Sequence, residues 1–565
     1  MEEASEITKK VSTTMGELKP RLDRMDKDFE RWDMKSSSDN GSFEYKTHNV
    51  TRRDTDIEIV GNDFRTFADD VQSILTSSER SINIRMAEET GEDMRDEIGK
   101  LERLLNYAFE KADERLINLL IGPLKDNLVW YSIVRGWIAA RFLVYKNGKN
   151  VVFDFLPYDP RWLAFKVGGN GLLWTGYTTA MTVDALRDEY GEEGTKATSG
   201  TWWKLWDKVP DTVDVIDYWR DTGDGKKVNS IVCNGIFLKE EEEYTLDSMP
   251  VLISPVSTRP AVRGAIEVEI AGYGDSIFAP NRKIGDLLDT LSSMWASHAN
   301  LLSKQPLVNY VDVGGETLKN TVHYAGGVLN LPMGKNKLDE IPMKEISPTH
   351  VNLVNWAESK RVKGSLPDID SGNTHPSGTL YNLMQETSNR VFNPQIRNLN
   401  SFYGNAVRTV KEQIIAGGVG GGKIGKFKIG SELKGKFYED EIKIADLKRP
   451  HIIKVEFTAR TPWQQMDTWQ VADMAKRQGF PDRWINEYLL KIQDPQLIDD
   501  LNALEVYEHS PQGMMKRAVE VLMDRGYDFE AQKLVEQMDN MQAGEDANLQ
   551  QQQNAAIPPE VPPEV

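Results

Sequence analysis

The chain has 565 residues, 39% hydrophobic and 27% charged, an ordinary composition for a folded globular protein and enough chain for three or more structural units. Its 68 Lys and Arg against 87 Asp and Glu leave a formal charge of −19, which excludes a protein whose whole surface grips nucleic acid. An acidic lining past which a polyanion slides without sticking stays open. Cys233 is the single cysteine, so an intrachain disulfide is excluded and a reducing compartment is the simpler reading. The start, MEEASEITKK, has no apolar segment, and no run approaches eighteen apolar residues; no signal peptide and no membrane contact are expected.

Residues 1–35 place Ile7, Val11, Met15, Leu18, Leu22, Met25, Phe29 and Trp32 at gaps of four and three. This is the seam of an amphipathic helix, either for another helix or for its own domain, and Pro20 should split it. After the polar SSSDNGS, helices are predicted at Asp63 to Thr76 and Asp93 to Leu120. The period then shortens. Ala139 to Tyr145 and Val151 to Leu156 flank Asn147-Gly148 and read as a hairpin, and strands follow at Thr212 to Arg220, Lys227 to Cys233 and Pro250 to Pro255. Trp162, Trp174, Trp202, Trp203, Trp206 and Trp219 are expected in core and subunit contacts.

A helix is predicted from Asn281 to Ser303, with His298 on its apolar stripe as a packing residue. Short strands and turns fill 304–346, a second helix covers 347–363, and a Gly/Pro/Ser-rich loop spans 364–378. From Thr379 to Ala416 the apolar residues recur every three to four positions; thirty-eight residues at about 1.5 Å each give a rod on the order of 57 Å. Pro394 and Gly404 lie inside it, so a bend is expected there, and a kinked helix entered through a loop is expected to move. Strands are predicted at Lys426 to Ile429, Tyr438 to Ile444 and His451 to Thr458. Helices follow through 461–540, with stops at Gly479-Phe480-Pro481, Asp494-Pro495 and Ser510-Pro511, and 541–565 has the composition of a disordered Gln/Pro tail. The fold class is α+β.

Catalytic motifs give little. Gly417 to Lys423 satisfies GxxxxGK, but Ile424 stands where a magnesium-binding hydroxyl belongs, and the segment follows a helix and precedes a strand, the reverse of a phosphate-binding loop. The seven histidines, His48, His298, His323, His350, His375, His451 and His509, are scattered, so no metal set, cofactor or catalytic group is predicted.

The segment order resembles the portal protein, or head-to-tail connector, of tailed bacteriophages, over about residues 45–540. The local patterns behind the resemblance are Leu156-Pro157-Tyr158-Asp159-Pro160, Gly272-Tyr273-Gly274-Asp275-Ser276 and His375-Pro376-Ser377-Gly378-Thr379-Leu380. It implies a mixed α and antiparallel-β wing (36–280, with return strands 417–460) and stem helices 281–303 and 347–363. It also implies a small β-containing clip (304–346), a channel loop (364–378), the long kinked helix (379–416) and an all-α crown (461–540). Twelve copies would form a ring at one capsid vertex, assembled in the host cytoplasm and retained in the virion. Double-stranded DNA would pass through without sequence specificity, and packaging terminase, head-tail adaptor proteins, capsid and scaffolding proteins would be partners.

Under the same resemblance the DNA-facing loop residues are Gly364, Ser365, Asp368, Asp370, Ser371, Asn373 and His375, the lumen cations Lys360, Arg361 and Lys363, and the clip docking residues Lys319, His323, Lys335 and Lys337. The competing expectation is a soluble α+β enzyme with an unrecognised active site in the wing-like unit.

Overall fold

The apolar seam of the first 32 residues closes on the chain's own β-sheet. Leu18 ends α1 (Ala4–Glu17) and starts α2 (Lys19–Trp32), with Pro20 in the first turn of α2, where its missing N–H is harmless. Then come α3 (Asp63–Ser77), β1 (Glu79–Met86), α4 (Glu92–Asn118), α5 (Leu124–Trp130) and a π-helical turn, Tyr131–Arg135. The β-rich middle follows: β2 (Trp137–Asn147), β3 (Asn150–Tyr158), β4 (Leu163–Gly168), β5 (Gly171–Thr182), α6 (Val183–Thr198), β6 (Thr212–Asp221), β7 (Lys226–Cys233), β8 (Ile236–Thr245) and β9 (Val251–Pro255).

The remaining elements are α7 (Arg282–Ser303), β10 (Leu307–Val311), β11 (Val328–Pro332), β12 (Lys337–Glu340), α8 (Pro348–Val362), α9 (Gly378–Ala416), β13 (Lys426–Leu433), β14 (Lys436–Lys443), β15 (His451–Thr458), α10 (Pro462–Arg477) and α11 (Pro511–Asp524). This computed structural model describes residues 2–35, 57–86, 92–147, 150–169, 171–198, 212–258, 272–303, 307–312, 328–332, 337–340, 348–362, 378–418, 426–433, 436–443, 451–458, 462–481, 484–485, 489–490, 506, 510–524 and 532–535. The architecture is α+β, and its sheets are antiparallel except for the parallel pair β10 and β11. Residues 1–88 and 103–461 form one unit; 89–102 and 462–565 form the other.

In the first unit, five strands run in the order β4-β5-β6-β7-β8. Alternation along β6 sends Ile216 and Tyr218 to one face, where Ile7 and Val11 of α1 cover them, and Val213 and Val215 to the other, where Val183 and Leu186 of α6 do so. β8 escaped the sequence reading because KEEEEY lacks an apolar period; its acidic residues stand on an edge strand, paired with Lys226, Lys239 and Arg220. A second sheet, β3-β2-β9, is overlaid by the C-terminal half of α9. Trp174 and Trp219 are core residues, Trp162 is exposed, and Trp202, Trp203 and Trp206 lie outside the described residues.

The long helix is continuous through Pro394 and Gly404 from Gly378 to Ala416. Beyond the proline it is a core element: Leu399, Phe402, Tyr403, Ala406, Val407, Val410 and Ile414 are buried, and Phe402 and Tyr403 join a ring cluster with Phe109, Phe142 and Phe457. Its polar face is used too. Gln413 Nε2 donates to the Phe142 carbonyl (2.7 Å) while Oε1 accepts from the Val144 amide (2.8 Å), so one side chain satisfies the β2 backbone as a neighbouring strand would. The helix stops at Gly417 and Gly418, both at positive φ, whose amides cap the Ile414 and Gln413 carbonyls. The glycines therefore serve a helix C-terminus, and 419–423 lie outside the described residues. β15 pairs antiparallel with β1, so the returning chain is stitched to its N-terminal part.

In the second unit α10 ends at Gly479 (φ +86°), where the Gly479 and Phe480 amides bond back to Lys476 and Ala475. The Phe480 and Trp484 rings lie 4.9 Å apart, tilted by 31°, just beyond.

Candidate functional site: the helix pair and its insert

α7 and α8 pack together and run antiparallel. The Asn281 side-chain amide, at the start of α7, donates to the Arg361 carbonyl at the end of α8 (3.1 Å). Between the two helices the chain makes the sheet β11-β10-β12, with β10 central and the Asn309 amide bonded to Asn330 across β10 and β11 (2.8 Å). Among the described residues of this insert Val308 is buried, while Leu331 and Leu338 are exposed; Leu353 and Trp356 of α8 are exposed as well. Among the residues of the insert whose burial is described, Val308 is the only buried one.

The base of the pair is fixed rigidly. Asp28 of α2, almost fully buried, accepts from Arg31 Nη1 (3.1 Å), Arg282 Nε (2.8 Å), Arg282 Nη2 (2.6 Å) and Ser276 Oγ (2.7 Å). Four donors from three segments on one carboxylate form a charge-assisted knot holding α2 to the start of α7. Arg31 also makes a bidentate pair with Asp286 (3.1 and 2.9 Å); burial works against its charge, and Asp286 and Asp28 more than offset that, so its proton is held more tightly than usual.

A strap of residues 57–61 lies along α7. Ser297 Oγ accepts from the Ile57 amide and donates to its carbonyl, Ser293 Oγ does the same at Ile59, and Asp289 Oδ1 accepts from the Gly61 amide (2.9 Å). The spacing explains the match: four helical residues advance about 6 Å and two extended residues about 6.6 Å. Burial raises the Asp289 carboxyl to about 6; the Gly61 amide opposes this, and Asp286 and Asp63 add to it. In sequence this ladder is only an Asp/Ser repeat at four-residue spacing, Asp289, Ser293 and Ser297, on a polar face. The Asp28 knot carried no local signal at all.

The expected lumen cations separate. Lys360 is exposed, its Nζ 5.8 Å above the Trp356 ring. Arg361 is committed within the chain: it pairs with Asp63 and with Glu358 (2.9 Å), and although burial disfavours its charge, these carboxylates raise its proton affinity. Lys363 and the whole loop set, Gly364, Ser365, Asp368, Asp370, Ser371, Asn373 and His375, lie outside the described residues, as do Lys319, His323 and Lys335 of the docking set. Lys337 is described, exposed on β12 and paired with Asp339 (2.5 Å). His298 is half-buried on α7. No group of three or more potential metal-ligating side chains occurs among the described residues, and none of their helices is long and apolar enough to cross a membrane.

No family model and no curated protein matches the chain. The arrangement itself can present a small sheet on a two-helix stalk whose foot is locked by Asp28, Arg31, Arg282 and Asp289.

Proposed function

We propose that the chain is the subunit of a portal-type ring, a passive conduit for double-stranded DNA at one vertex of a tailed-bacteriophage capsid. The observation that carries this reading is the antiparallel pair α7 and α8 bearing a three-stranded insert with Leu331, Leu338, Leu353 and Trp356 uncovered. Such an element gains its missing burial from neighbours, and a circular arrangement of identical copies supplies them. In this reading residues 1–35 are an N-terminal helical segment, the wing spans 36–280 with the return strands of 417–460, the stem is α7 and α8, and the clip holds β10 to β12. The clip receives the packaging terminase and later the head-tail adaptor proteins; capsid and scaffolding proteins meet the ring's periphery. The net charge of −19 suits a channel that lets phosphate pass without holding it. Chemistry belongs to the packaging motor, and the ring needs no cofactor.

Negative-stain class averages of the purified full chain test this. Rings of about twelve copies with an axial hole wide enough for a duplex are expected. A monomer at every concentration, or closed assemblies without a hole, overturns the proposal.

A further inference from the structure

β13 and β14 stand apart from the other sheets. Among the described residues each is bonded only to the other, so each has one edge without a strand. A lone hairpin is marginally stable in water, and an open edge is a template for a further strand. The other two-stranded pair, β1 and β15, is backed by α9.

The two strands differ in charge. β13 (KFKIGSEL) opens with Lys426 and Lys428, whereas the middle of β14 (KFYEDEIK) is Glu439, Asp440 and Glu441. Alternation and register place Lys426 and Lys428 on the same face of the sheet as Glu439 and Glu441. Within the hairpin these charges are only partly matched: Lys428 stands opposite Glu441, but Lys426 stands opposite Lys443 and Glu439 opposite Gly430. A second β14 strand on the outer edge of β13, stepped by two residues, would set Glu441 opposite Lys426 and Glu439 opposite Lys428. Both pairs are attractive. The opposite step would set Lys443 against Lys428 and Glu439 against Glu432, so the charges select one register.

We infer that the hairpins of successive copies join edge to edge, β13 of one to β14 of the next, into a closed antiparallel barrel around the ring axis. The inference rests on the ring reading and names one of its contacts. Copies related by rotation keep the strand directions alternating, and closure leaves no edge unpaired; a foreign strand would match one edge and leave the other open. The dimensions agree. Two strands from each of about twelve copies, about 4.8 Å apart and stepped by two residues per copy, tilt by about 35° and close at about 45 Å across the backbone. That tilt is usual for a closed sheet, and the interior leaves room for a duplex.

Charge reversal in the full chain tests the contact. Lys426→Glu/Lys428→Glu makes both edges acidic, and Glu439→Lys/Glu441→Lys makes both basic. Each double variant alone should need about tenfold or more protein than wild type for half-assembly, because like charges meet at every junction. An equimolar mixture of the two should recover assembly, since alternating copies join Lys to Glu again, and the chain carrying all four substitutions should recover it unmixed. A defect confined to the hairpin within each copy is not cured by mixing, so rescue reads the junction itself. Unchanged assembly of either double variant, or a mixture no better than its parts, overturns the barrel, and wild-type rings then leave the ring reading standing. A wild type that stays monomeric at every concentration overturns both.

Discussion

Gly136 and Gly274 cross back to back, each at positive φ and each occupying the space a side chain on the other would need. A Cβ on Gly136 would lie 2.7 Å from Asp275 C and Ser276 N and 2.9 Å from Gly274 C; one on Gly274 would lie 1.9 Å from Trp137 Nε1 and 2.7 Å from the Gly136 oxygen. The crossing joins the π-helical turn and β2 to the segment feeding α7, and the Trp137 indole N–H seals it on the Tyr273 carbonyl (3.0 Å). Gly136→Ala and Gly274→Ala should each cost about 3 kcal/mol or more, since strained φ adds to steric overlap. The double variant should lose less than the sum, because either one alone forces the backbones apart. Urea midpoints check this, and a loss below about 1 kcal/mol for either would mean the crossing can open freely.

Arg141 staples the three-stranded sheet β3-β2-β9 to the five-stranded sheet β4-β5-β6-β7-β8. From β2 it donates to Asp217 on β6 (2.5 Å) and to Asp154 on β3 (3.0 Å), while Asp217 also accepts from Tyr158 (2.6 Å) and Asn229 (2.7 Å). Arg141→Met leaves two largely buried carboxylates facing each other and should cost about 3–5 kcal/mol. Asp217→Asn in that background should recover part of the loss by removing one charge. A double-mutant cycle from equilibrium unfolding measures the coupling, and an additive pair of losses would show that the staple is not a unit.

Asp289 gives the base of the helix pair a pH dependence of known sign. Its carboxyl stands at about 6 in the fold against an ordinary 3.8, chiefly through burial, so the stability it lends is complete below about pH 4 and lost as pH rises through about 6. Allowing for its partial exposure, the loss is about 1 kcal/mol. Asp289→Asn keeps an oxygen for the Gly61 amide and removes the ionisation. Melting midpoints between pH 4 and 7.5 should fall with pH in the wild type relative to Asp289→Asn, and parallel curves would contradict the assignment.

Much of this architecture was legible because its elements are periodic. Ile7 and Val11 announced an amphipathic helix, and the recurrence through Phe402, Val407 and Ile414 announced α9 to within a residue at its start. What the periodicity could not say was where those faces go, since burial on a sheet and burial on another helix impose the same stripe; Val11 turned out to pack on Trp174 and Ile216. The polar face of α9 misled most. Gln413 reads in sequence as solvated, and its role depends on β2, some 270 residues away in the chain, having an amide and a carbonyl open at that height. Asp28 is equally silent: a buried carboxylate knot is a tertiary fact.

The basic residues closing α8 are not equivalent, and this changes how a DNA-steadying role should be tested. Arg361 is committed to Asp63 and Glu358, so Arg361→Glu places like charges together and should lower stability by about 1 kcal/mol, a change in melting midpoint with no bearing on DNA. Among the described residues Lys360 is exposed and lies over the Trp356 ring, so Lys360→Glu should leave the midpoint unchanged. If the ring passes DNA beside α8, Lys360→Glu should flatten the salt dependence of DNA retention, because each lost phosphate contact removes about 0.9 from the log–log slope. An unchanged slope at unchanged stability would place Lys360 away from the DNA path, whereas a change seen only with Arg361→Glu would reflect damage to the fold.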